Sequence, residues 1–215
     1  MDVAPTFTVG FWHPFGRHGG ECPDQIIRRK SREIQETGFT FWSFQVRPPE
    51  TVNRWSSLIK DVVRDGPVWA LCSLGRGARD PRSPVHRCAE YLNGSLDRWL
   101  PIPPTIKVPH PVGARRGYQA CAFKVLEVQS FPAGMELDFK IEWWSFKEQQ
   151  WLQRRLPTRP EILIRKAEGA HLRPISAALL LESPYVVYLR GEGKVHSAQD
   201  VEKIPTWEVN QDGIH

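Results

Sequence analysis

Three short apolar blocks punctuate the first third of the chain, and two segments of helical periodicity separate them. Phe7 to Phe15 reads FTVGFWHPF, Phe39 to Phe44 reads FTFWSF, and Val68 to Leu74 reads VWALCSL. Each is rich in aromatic, β-branched or other apolar residues and is bounded by Gly or Pro, the signature of a buried strand. Pro23 to Thr37 opens with Pro and closes at Gly38, a start-and-stop pair for a helix. Farther on, Val52, Trp55, Leu58, Ile59, Val62 and Val63 recur at helical spacing. Asn53, Arg54, Lys60, Asp61 and Arg64 fill the opposite face, and Gly66-Pro67 ends the segment. The pattern predicts a β-α-β-α-β unit over residues 1–100.

Beyond it the periodicity changes. The run WLPIPPTIKVPHPVG holds five prolines in fifteen residues, which predicts an extended connector over 101–116 lying on the surface. Tyr118 to Val128 and Leu137 to Phe146 then read as an antiparallel pair joined across SFPAG. A short helix is expected around Lys147 to Arg155, followed by apolar stretches at Ile162 to Arg165, Ile175 to Leu181 and Tyr185 to Leu189. Residues 117–190 are thus expected to form a β-rich, antiparallel part packed on the first, with 191–215 a polar tail and the whole one compact domain. The fold class is α/β or α+β, and a small barrel is one form the second half could take.

Strand–helix–strand units pair their strands in parallel, and the loops leaving those strands gather at the edge where open α/β sheets bind ligands. All three such loops are basic here: Gly16 to Gly20, Arg47-Pro48-Pro49, and Gly75 to Arg82. Gly-rich loops that lead into a helix can cradle phosphate with backbone N–H groups, helped by the helix dipole. The candidate anion-binding residues are therefore Arg17, His18, Gly19, Gly20, Arg47, Arg76 and Arg79. Neither a Walker loop nor G-x-G-x-x-G is present. The convergence requires the three strands to be parallel neighbours; otherwise the basic loops scatter.

Nine tryptophans form the second clue. Most belong to core packing, but Trp12 and Trp42 sit close to the basic loops and could stack on a planar base. The segment Arg28, Arg29, Lys30, Arg32 could add backbone contacts or form a solvated face. A β-rich half, basic loops and aromatics together are similar to small base-binding barrels such as those of the PUA type. That similarity lies at the level of the fold and transfers no residues.

Composition narrows the classes without choosing one. Apolar residues make up 40% and charged residues 25% of 215, an ordinary folded composition, and the net charge of +5 permits an anionic partner. The start has no secretory signal pattern, and no apolar run is long enough to span a bilayer. Cys22, Cys72, Cys88 and Cys121 are unpatterned, so reduced thiols in a cytoplasm are expected. His13, His18, Glu21 and Cys22 are of metal-ligand types but match no zinc spacing, and neither a metal nor a cofactor is expected. The expected partner is a nucleotide or single-stranded nucleic acid. One alternative is a hydrolase acting on a phosphorylated substrate through His18, Glu21 or Asp80, with Cys72 considered as a nucleophile and read as a buried strand residue. A protein-interaction module with a Pro-rich surface is the other.

Overall fold

The computed structural model describes residues 8–16, 21–44, 59, 67–75, 85–92, 99–111, 119–132, 135–137, 139–153, 156, 162–169 and 174–195. These form a mixed α/β architecture dominated by one large sheet of eleven strands, with one helix. The strands are β1 (Val9–Phe15), β2 (Thr40–Phe44), β3 (Val68–Leu74), β4 (Val85–Leu92), β5 (Trp99–Pro101), β6 (Pro109–Pro111), β7 (Gln119–Ser130), β8 (Lys140–Ser145), β9 (Gln150–Leu152), β10 (Ile162–Ala167) and β11 (Ala177–Val195). Helix α1 spans Pro23–Thr37. Within the second expected helix only Ile59 is described; it is helical and buried.

Helix α1 forms where local signals place it. Pro23 costs nothing at the first turn, where its missing N–H would have no partner. Gly38 ends the helix at φ 84°, a left-handed conformation that disfavours side chains, and its N–H donates to the Ile34 carbonyl at 2.8 Å. Ile26 and Ile27 face inward against the sheet, while Asp24, Arg28, Arg32 and Glu36 stay exposed.

The sheet order is β2-β7-β11-β3-β1-β10-β8-β9, with β4 joined to β11 and carrying β5 and β6. It is open, with β2 and β9 at its ends, so the barrel is not formed among the described residues. β1 and β3 are parallel neighbours, Phe11 opposite Ala70 and Phe15 opposite Leu74. β2 is not beside them. It pairs antiparallel with β7, β7 with β11, and β11 with β3, so β2 runs opposite to β1 and β3. The three strands expected as consecutive parallel neighbours are therefore two neighbours and one distant edge strand.

Pairings in the second half also differ from the expected ones. β7 and β8 do not form a hairpin: β7 lies between β2 and β11, and β8 between β10 and β9. The helix expected near Lys147 to Arg155 is instead a turn with Gln149 at φ 51°, followed by β9. Trp151 and Leu152 point to opposite faces, Leu152 toward one core cluster and Trp151 toward the other, which is the period of a strand. From Ala177 on, the two apolar stretches are one long strand, β11, interrupted by a register shift between Leu181 and Val186 where Tyr185 adopts φ 66°.

Two apolar layers sandwich the sheet. Phe11, Phe123, Leu163 and Leu179 pack on the face that α1 covers, and Trp12, Leu71, Ile164 and Ile175 pack on the other. A third cluster, with Phe41, Tyr91 and Leu189, takes in Ile102, Ile106 and Val108. The Pro-rich segment is thus anchored through its isoleucines and valine rather than laid loosely over the surface.

Candidate functional site

The carboxyl ends of β1 and β3 lie side by side. Their pairing runs to Phe15 opposite Leu74, and the Gly75 N–H then donates to the Phe15 carbonyl at 2.7 Å. A side chain at 75 would start 3.4 Å from that carbonyl oxygen, so glycine suits the close approach. The segments that follow Gly16 and Gly75 in the chain thus leave the sheet from adjacent strand ends, at the kind of edge where open α/β sheets bind ligands. The third basic segment follows β2, whose carboxyl end points the other way. Arg17, His18, Gly19, Gly20, Arg47, Arg76, Arg79 and Asp80 themselves lie outside the described residues.

Glu21, just beyond the first of these segments, is committed elsewhere. It is buried, and Arg29 holds it with Nε 2.8 Å from Oε1 and Nη2 2.6 Å from Oε2. Arg29 also donates through Nη1 to Glu33 at 2.9 Å and to the Lys107 carbonyl at 3.1 Å. Lys30 Nζ lies 2.9 Å from Glu33 Oε2, 3.0 Å from the Lys107 carbonyl and 3.2 Å from Thr40 Oγ1. Thr40 gives its own hydroxyl proton to Glu33, and the Lys107 N–H donates to Glu33 Oε1 at 3.1 Å. Three acceptors around one nitrogen require three hydrogens, so the site is built for an ammonium group. Burial nevertheless lowers the Lys30 pKa to about 8, against the pull of Glu33. Burial alone would raise the Glu33 carboxyl, but Lys30 and Arg29 bring it below the usual range.

This network alters two readings of the sequence. Glu21 is tied down as a counter-ion, which removes it as a free acid or base for hydrolysis. Arg29 and Lys30, considered as part of a basic face, are buried and paired, leaving only Arg28 and Arg32 of that run exposed. The sequence offered no signal for this, because the Lys107 backbone that completes the network is 77 residues from Lys30.

The two tryptophans near the basic segments are inside. Trp12 is 5% exposed and Trp42 4%, and they belong to clusters on opposite faces of the sheet. Trp42 Nε1 donates to His13 Nε2 at 2.9 Å, and Phe15 stacks edge-on against Trp42 at 5.2 Å. Neither indole presents a face large enough to stack a base, because ring faces that close the core are already covered. The Cys72 thiol is fully buried and desolvation pushes its pKa up, which disfavours the thiolate a nucleophile needs. Among the described residues no group of three or more His, Cys, Asp or Glu is arranged to hold a metal ion.

A different aromatic–cationic group does reach the surface. On β8, β9 and β10, Trp144 and Trp151 face each other across the strands at 5.4 Å, and the Arg165 guanidinium lies 4.8 Å from the Trp151 ring centre. Arg165 Nε and Nη2 each lie 2.6 Å from Glu142 Oε2. Gln153 donates to the other oxygen of that carboxylate, and the two donors hold it below the usual carboxylate range. Trp143, Trp144 and Phe146 make this segment visibly aromatic in the sequence. Its arginine comes from another strand 21 residues on, which no local pattern links to it.

No protein-family model matches the chain, and neither a curated protein nor a solved structure matches it. No helix among the described residues is long and apolar enough to cross a membrane.

Proposed function

We propose that the protein binds a phosphate-bearing ligand, a nucleotide or a single-stranded nucleic acid, at the edge where β1 and β3 end. One observation carries this reading: the parallel pairing of β1 and β3, closed by the Gly75–Phe15 bond, starts two Arg- and Gly-containing segments from neighbouring points. Arg17 and Arg76 would supply charge-assisted donors, and Gly19 and Gly20, shortly before α1, would let backbone N–H groups approach phosphate closely. Arg47 is left out of the reading, since β2 ends at the opposite edge. Stacking by Trp12 and Trp42 is left out as well, since both rings are buried. A cytoplasmic location fits the free thiols of Cys22, Cys72 and Cys88.

The test is a titration of intrinsic tryptophan fluorescence, with labelled ligand anisotropy alongside. Single-stranded DNA, single-stranded RNA and mononucleotides are each added at two salt concentrations. Saturable binding that weakens as salt rises, and that Arg76→Ala or Arg17→Ala reduces together with its salt slope, is the expected result. Absence of binding to all of these ligands at low salt would sink the reading.

A further inference from the structure

We propose that Arg165, packed over Trp151 at the β8–β9–β10 corner, is a platform on which a base of a single-stranded nucleic acid stacks. The inference rests on the reading above and names the residues that take the base. Four features converge on Arg165. Its guanidinium carbon lies over the Trp151 ring, 4.8 Å from the ring centre. Glu142 fixes its orientation through Nε and Nη2, and Glu142 is itself held by Gln153. Nη1 has no partner among the described residues. The side chain is 42% exposed, unlike the indoles of Trp12 and Trp42.

A half-exposed cation packed over an indole and fixed by a carboxylate through two nitrogens loses little freedom when a base settles on it. Guanidinium planes and aromatic rings are the surfaces on which unpaired bases are held. Trp144 buttresses Trp151 from the side, so the pair cannot swing away without breaking a cross-strand contact. Helix α1 packs over β2 and β7, which β11, β3 and β1 separate from this corner.

Span decides between a mononucleotide and a strand. Arg165 pairs with Val9 at the start of β1, whereas the proposed phosphate edge begins at Phe15. Six strand residues separate them, roughly 20 Å at about 3.3 Å per residue. One mononucleotide cannot touch both places, and a single strand several nucleotides long can. The net charge of +5 favours such a polyanion over a neutral partner.

The experiment measures anisotropy of a labelled single strand with the full chain, comparing wild type, Arg165→Lys and Arg76→Ala, and adding an abasic strand of equal length. Arg165→Lys keeps the charge and loses the plane, so affinity should fall about tenfold with the salt slope unchanged. The abasic strand should bind wild-type protein weaker by a similar factor and should not distinguish wild type from Arg165→Lys. Equal affinity of the wild type for abasic and ordinary strands would overturn the proposal without relying on any variant. Binding that Arg76→Ala weakens but Arg165→Lys does not would overturn it too, while leaving the phosphate edge standing. No strand binding at all would remove both.

Discussion

The buried charges between α1 and the Pro-rich segment allow a sharp test of what holds the two together. Glu33→Gln keeps the shape of the side chain and removes its charge. In the native protein Glu21, Arg29, Lys30 and Glu33 sum to zero, and the Glu33 side chain is 2% exposed. The substitution leaves a net positive charge in a place water does not reach. It also weakens the hydrogen bonds from Lys30, Arg29, Thr40 and the Lys107 N–H at once. Breaking one partner of a buried pair costs about 3–5 kcal/mol, because the remaining charge is stranded. For a chain of this length that corresponds to a Tm lower by roughly 6–20 °C.

Guanidinium chloride unfolding followed by tryptophan fluorescence reads the change as a lower midpoint at constant slope. The double variant Lys30→Met/Glu33→Leu separates electrostatics from packing. It removes both charges and leaves Arg29 with Glu21, so most of the lost stability should return. A Glu33→Gln cost below about 1 kcal/mol would mean that water reaches the cluster, since only exposed pairs are worth that little. A double variant as unstable as the single would show that hydrogen bonds to the Lys107 backbone, not charge balance, hold the segment.

Two further outcomes follow from the same geometry. Lys30 has a native pKa of about 8 against 10.5 unfolded, so the unfolded chain binds more protons between those values; stability should rise from pH 8 to 10.5, and Lys30→Met should abolish that rise. Glu33, lowered from 4.5, acts in the opposite range: its contribution is present above about pH 4.5 and is lost on acidification, which urea midpoints measured from pH 3 to 6 would follow in the wild type but not in Glu33→Gln. As to thiols, burial pushes Cys88 up to about 12 and Cys72 higher still, so a thiol reagent should modify half-buried Cys22 well before either, as read by peptide mass mapping; early modification of Cys72 would contradict its burial.

What could be read along the chain was what is decided locally. Pro23, the apolar positions at Ile26 and Ile27, and Gly38 lie within one segment, and α1 occupies that segment. Phe7 to Phe15, Phe39 to Phe44 and Val68 to Leu74 read as strands by composition, and β1, β2 and β3 lie within those blocks. Their partners were not legible, because pairing is settled by surfaces far apart in the chain. Thr40 meets Val125 and Leu71 meets Ala178, contacts that no window of ten or fifteen residues contains. One consequence falls directly on function. A β-α-β motif read locally implies that successive strands are neighbours, yet the long strand β11 inserts beside β3 and sends β2 to the edge. Two of the three basic segments start from neighbouring strand ends because β1 and β3 pair directly, and the third starts from the opposite edge because β2 pairs elsewhere. The same non-local logic buries Arg29 and Lys30 beneath Lys107 and brings Arg165 onto Trp151. Charge and aromatic content in the sequence thus mark which residues are able to bind, while long-range pairing decides which of them face solvent.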